Sequence, residues 1–140
     1  MKKSLLLLLL TFILLNCSDN PENYIKYING YWEIKHVEKD NQLLKEYNFS
    51  SNVDYFEVND ETLTGFRKKV TPTLEGKFII NNHESPFSLK IEENNLIIEY
   101  NVNGNKFQET IINASEEKMV ITNAEGITYV YRPFTPINLE

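Results

Sequence analysis

Residues 96–113 read LIIEYNVNGNKFQETIIN, and their reading decides the fold. Leu96, Ile98, Tyr100 and Val102 alternate with Ile97, Glu99 and Asn101, a period of two that puts one set on each side of a strand. Asn103-Gly104 follows, the strongest short-range hairpin signal, because both residues accept the positive φ of a type I′ turn. The chain then returns from Asn105 to Asn113. An antiparallel ribbon is expected here, with no crossover.

The same pattern runs outward in both directions. Beyond Asn113, Ala114 to Lys118 is a turn, Met119 to Thr122 a strand, and Asn123 to Gly126 a hairpin loop. Ile127 to Arg132 is the last strand, stopped by Pro133, and Phe134 to Glu140 forms a tail. Before Leu96, Glu92 to Asn95 turns after a strand in which Phe87, Leu89 and Ile91 alternate with Ser88 and Lys90. Leu74, Phe78 and Ile80 share one face of a separate strand, and Thr62 to Val70 and Val53 to Val58 make two more. Pro72 ends its strand or sits at an edge, since proline cannot donate to a ladder. Residues 39–50 read as a strand or a short helix; Tyr47 and Phe49 favour the strand. Tyr31 to Val37 sets Trp32 and Ile34 against Glu33 and Lys35. The fold class is all-β, an antiparallel up-and-down meander of roughly eight to ten strands. Closing it into a barrel removes both unpaired edges, so a barrel outranks an open sheet, with a two-sheet sandwich as the alternative.

The N-terminus is a different kind of segment. Lys2 and Lys3 precede an apolar run from Leu5 to Leu15, broken only by Thr11, and the chain's one cysteine, Cys17, follows Asn16. A permanent spanning helix needs about 20 residues, so this run reads as a cleaved export signal. Leu14-Leu15-Asn16-Cys17 resembles the lipobox of bacterial lipoproteins, with Asn16 departing from the usual small residue. Cys17 is then a lipid attachment point carrying acyl chains such as palmitate, and ordinary secretion with a free thiol is the bland alternative. Several such chains, each buried CH2 contributing about 0.8 kcal/mol, would hold the protein on a membrane. Ser18-Asp19-Asn20-Pro21-Glu22 is similar to the surface-export tag of Bacteroidetes lipoproteins, or is simply a solvated tether. The division expected is 1–16 lipoprotein signal peptide, 17–29 lipidated N-terminal tether, and 30–140 barrel domain with a short tail.

Cleavage leaves 124 residues, enough for one domain, and 12 basic against 20 acidic residues, a formal charge near −8. With no basic stripe, nucleic acid is not expected as a partner. Arg67-Lys68-Lys69, the longest basic cluster, reads as a solvated strand end as readily as a site.

Gly30-Tyr31-Trp32, at the start of the first strand, resembles the opening signature of the lipocalins and their calycin relatives. More closely, the mature chain is similar to small lipocalin-like lipoproteins of the Bacteroidetes and flavobacterial group. The resemblance implies that Trp32 packs at the closed end of the barrel with Arg132 from the last strand lying across it, a cation–π pair of about 0.5–2 kcal/mol. It also implies a carrier of small apolar molecules. A second lipocalin signature in the middle of the chain is absent, as is a helix after the last strand.

His36 and His83 lie far apart with no metal-type ligand at helix or hairpin spacing, and the acidic runs Asp60-Glu61, Glu92-Glu93 and Glu116-Glu117 fall at turns. No nucleophile elbow or calcium loop occurs. No catalytic, metal or cofactor site is expected, and the chain does not read as an enzyme. Most strand aromatics are core, but in a barrel open at one end Phe56, Phe66, Phe78 and Tyr100 are candidates to line an apolar pocket. Tyr129 and Tyr131 share one face of the last strand and Val130 and Arg132 the other, so stacking of Arg132 on Trp32 competes with inward tyrosines. Two functions follow. One is a lipid-anchored envelope protein, in the outer membrane and either periplasmic or surface-exposed, whose barrel binds a small hydrophobic ligand. The other is a filled barrel that presents its outer surface to an envelope protein partner.

Overall fold

In a computed structural model, which describes residues 19–136, a short 3-10 helix (Pro21–Tyr27) is followed by nine strands. They are β1 (Gly30–Lys39), β2 (Gln42–Glu46), β3 (Val53–Asn59), β4 (Thr64–Pro72), β5 (Phe78–Glu92), β6 (Asn95–Val102), β7 (Asn105–Ala114), β8 (Met119–Asn123) and β9 (Ile127–Pro133). The expected signal peptide and the lipid site Cys17 lie outside the described residues. Strand order is β2-β1-β3-β4-β5-β6-β7-β8-β9, all antiparallel, and β9 returns to pair with β1. Eight strands therefore close a barrel, from which β2 hangs as a flap on β1. The hairpin that decides the fold pairs Val102 with Asn105 across Asn103 at φ 52° and Gly104 at φ 83°. Among the described residues no helix is long and apolar enough to cross a membrane.

Two expectations need correction. The strands expected at Leu74–Ile80 and Phe87–Ile91 are one strand of 15 residues, β5, with Leu74 in the loop before it. Asn81-Asn82-His83 sits where the β4–β5 register shifts, so a bulge absorbs the polar run and the strand continues. The stretch expected as tether is folded from Pro21 onward. The Asn20 side chain accepts from Glu22 N at 3.1 Å and Pro21 stands at the first turn, which starts the 3-10 helix. That helix then plugs one end of the barrel.

Ile25 and Ile28 from the plug join Trp32, Phe56, Val58, Phe87, Leu89, Leu96, Ile98, Ile111, Met119 and Ile121 in one apolar cluster. Trp32 is held by Nε1, which donates to the Ile28 carbonyl at 2.9 Å. Asn29 ties the plug to β3 by accepting from Val58 N at 2.6 Å. Gly30, at φ 127°, lets the chain turn from plug into strand, a conformation that a side chain would strain. This end is closed.

Candidate functional site

Strand alternation explains what fills the bore above the apolar end. On β3, Asp54, Phe56 and Val58 point inward, and their cross-strand neighbours on β4 are Lys69, Arg67 and Gly65. The opposite wall contributes Tyr100 from β6, Glu109 from β7 and Tyr131 from β9. These side chains meet around the Arg67 guanidinium. Its Nη2 donates to Asp54 Oδ2 at 2.7 Å and to the Tyr131 hydroxyl at 2.9 Å, and Nη1 to Glu109 Oε2 at 3.3 Å. The Tyr131 hydroxyl donates to Asp54 Oδ2 at 3.1 Å and that of Tyr100 to Glu109 Oε2 at 3.0 Å. Lys69 Nζ reaches Asp54 Oδ1 at 3.1 Å, and the guanidinium carbon lies 5.2 Å from the Phe56 ring centroid.

The charges balance, two acids against two bases, and no buried polar side-chain atom among the described residues lacks a partner. Burial by itself would raise the Asp54 carboxyl, but Arg67 and Lys69 beside it hold it below the usual carboxylate range. Burial opposes the charge on Arg67 as well, yet the facing hydroxyls and Asp54 keep its proton bound more tightly than usual. Burial pushes Tyr100 and Tyr131 up, so both hydroxyls stay protonated and can donate.

The network is not sealed. The side chain of Asp54 is 4% exposed and that of Arg67 18%, but Lys69 is 58% exposed. Above it β1 parts from β3, since the two pair only over Gly30–Trp32 with Phe56–Asp54. An extra residue, Lys35, bulges between Ile34 and His36; its carbonyl accepts from Tyr47 N at 2.8 Å, and β2 takes over the β1 edge. The gap is a cleft of about 400 Å3 with Ile34 and Tyr47 on one side, the Phe49–Asn52 loop on the other, and Asp54 and Lys69 at its floor.

Of the residues expected to line a pocket, Phe56 and Tyr100 are inside, but Phe66 and Phe78 are outside. Phe66 neighbours Tyr55, and Phe78 stacks on Tyr31 at 4.5 Å, in an aromatic group on the outer surface. The cause is parity: Phe66 lies one residue from inward-facing Arg67. The expected Trp32–Arg132 pair does not form. Tyr131 is the buried neighbour, so Arg132 faces outward, where its Nε donates to Glu33 at 2.7 Å and Nη2 to the Asn48 carbonyl at 2.9 Å. The cation–π contact inside the barrel is made by Arg67 instead.

His36 pairs with Glu38 at 2.8 Å, and His83 is exposed; neither joins the interior network. Among the described residues no three His, Cys, Asp or Glu side chains are grouped to hold a metal ion. Sequence reasoning did not single out Asp54 or Glu109, and it left Arg67 and Lys69 open between a solvated strand end and a site, and Tyr131 open between the two faces of its strand. A signal existed for the first: Asp54 shares its strand face with Phe56 and Val58, a carboxylate on an apolar stripe.

A model of the family described as "Lipocalin-like domain" matches residues 28–121. No functionally curated protein matches the chain. Similar solved structures include an uncharacterized protein from Bacteroides eggerthii, 15% identical, with a TM-score of 0.45 over 76% of this chain and 99% of that one. Another is a lipocalin-like protein from Bacteroides uniformis, 10% identical, with a TM-score of 0.46 over 76% of this chain and 98% of that one.

Proposed function

Because the chain belongs to the family of lipocalin-like domains, we propose that it is a lipid-anchored protein of the cell envelope whose barrel binds a small molecule at its open end. The observation that carries this reading is the parted β1–β3 seam, which opens a cleft onto a charged floor. The apolar end of the bore is packed with Phe56, Ile98, Leu96 and Ile28, each fully buried. The ligand fitting the cleft has an apolar body against Ile34 and Tyr47. It carries a polar end toward Lys69, whose ammonium makes one protein bond and has two further protons to donate.

The uncharged probe N-phenyl-1-naphthylamine tests the cleft. It should bind saturably with one site per chain, and Ile34→Trp, which fills the cleft, should abolish the fluorescence gain. Absence of saturable binding, or binding indifferent to Ile34→Trp, overturns the reading. The anchor is tested separately by growth on labelled palmitate: label should enter the protein, and Cys17→Ala should remove it.

One observation favours a second reading, that of an interaction module for an envelope partner. All five residues of β2 are exposed, Leu43 and Leu44 among them, and β2 pairs on one side only with β1. Such an edge can accept another strand. Recovery of the protein from crosslinked membranes only as a monomer would count against it.

A further inference from the structure

A second concavity lies on the outside of the barrel and is built by three separate segments. Its base is the outer face of β1 and β9, where Glu33 and Arg132 are cross-strand neighbours. The β4–β5 hairpin folds across that face, anchored by the stack of Phe78 on Tyr31, interplanar angle 2°. The chain after β9 comes in from the other side, with Phe134 edge-on to Phe78 at 5.8 Å and its amide donating to the Tyr31 carbonyl at 2.9 Å. The Phe49 loop closes the remaining side. Between them is a groove of about 480 Å3, within the range of small-molecule sites.

Its chemistry is that of an amphipathic anion site. The walls are Phe49, Leu74, Phe78 and Phe134, and two of these are unusually bare for their size, Phe49 at 80% and Leu74 at 77% exposed. The charged lining is Arg132, Lys77 and Glu33, a surplus of one positive charge on a chain whose formal charge is −6. Arg132 spends Nε on Glu33 and Nη2 on the Asn48 carbonyl, and among the described residues Nη1 has no partner. A guanidinium fixed on two sides with a free N–H on the third is oriented to donate to a carboxylate. Lys77 stands at the rim, 79% exposed, where Glu75 lies 3.8 Å away on the solvent side and screens part of its charge, so Arg132 is the principal cation.

We propose that this outer groove is a second binding site, for a small monocarboxylate with an apolar or aromatic body, its carboxylate on Arg132 and its body between Leu74, Phe78 and Phe134. The site is separate from the cleft at the open end, although the Phe49–Ser51 loop borders both.

The probe is 4-phenylbutyrate, titrated into the chain from Ser18 onward, which retains every described element, and followed by amide chemical shifts. Saturable binding should move the Phe78 and Phe134 amides and leave those of Asp54 and Tyr129 in place. The alcohol 4-phenylbutanol should bind at least about tenfold more weakly, because it lacks the charge-assisted bond. Arg132→Gln should weaken the acid by a similar factor. Leu74→Glu, at a position too exposed to disturb folding, should do the same by repelling the carboxylate from the wall. Ile34→Trp should leave the acid's affinity unchanged, so the two sites can fail independently. Equal binding of the acid, the alcohol and 4-phenylbutylamine overturns the proposal, as does indifference to Leu74→Glu. So does a lack of saturable binding at about 10 mM acid.

Discussion

The two ends of this barrel are held by different physics. The closed end is apolar packing around Trp32 and Leu96, with a 3-10 plug whose Ile28 is fully buried. The other end has Asp54, Arg67, Glu109 and Lys69 where more apolar side chains would have served stability as well or better, since buried charges rarely repay their desolvation. Around them the β1–β3 seam parts, and the outside carries bare Phe49 and Leu74. One end is built to stay shut, and the other to keep polar groups within reach of something that arrives.

The comparison can be broken by removing its central residue. Arg67→Ala leaves buried Glu109 without a cation and Asp54 with only the exposed Lys69, and urea unfolding should show a loss of about 3–5 kcal/mol. A loss under about 1 kcal/mol would mean that the network is wet and energetically idle. At the closed end, Leu96→Ala should cost about 2–5 kcal/mol by leaving a cavity, with unfolding midpoint as the readout. Gly65→Ala tests how tightly that end is packed. A Cβ there meets the Glu57 carbonyl oxygen and lies 2.9 Å from the Phe87 ring, so a loss of about 1–3 kcal/mol is expected.

Acid and alkali sharpen the contrast, because the charged end holds buried groups shifted from their ordinary values. Asp54 is held below its ordinary value near 3.8, so its stabilising contribution is whole above that pH and is lost as pH falls through the lower, folded value. Asp54→Asn should flatten the acid limb of the stability profile. Tyr100 and Tyr131 are raised above their ordinary 10, so their contribution is whole below pH 10 and is lost as pH climbs beyond it. Absorbance titration should show two of the eight tyrosines ionising only as the chain unfolds. The smallest effect belongs to the bare outer wall: Leu74→Ser should change stability by no more than about 0.5 kcal/mol.

Much of the barrel was legible before folding because a half-buried strand writes its geometry into alternate residues. Leu96, Ile98 and Tyr100 face inward as their spacing requires, and Asn103-Gly104 makes the turn it encodes. Less of the site was legible. The run Arg67-Lys68-Lys69 looks solvated, yet parity sends Arg67 into the bore, sets Lys69 on the same face where it bonds Asp54 while staying largely exposed, and sends Lys68 outward to Glu84 at 2.8 Å. Arg132 and Tyr131 posed the same question of parity, and the burial of Tyr131 settled it. Tyr24, Ile25 and Ile28 carried no strand period, and only the open rim of a closed barrel gave the last two a place to be buried.

The sequence by itself determined an all-β meander, its turns and most of its inward set, because period and turn chemistry act between near neighbours. The tertiary structure alone decided which face of β9 is inside, that the plug exists, and that Arg67 on β4 meets Asp54 on β3, Glu109 on β7 and Tyr131 on β9, with Tyr131 also bonded to Asp54. Those contacts join residues up to 77 positions apart, and their meeting depends on closure of the ring, which no local spacing encodes.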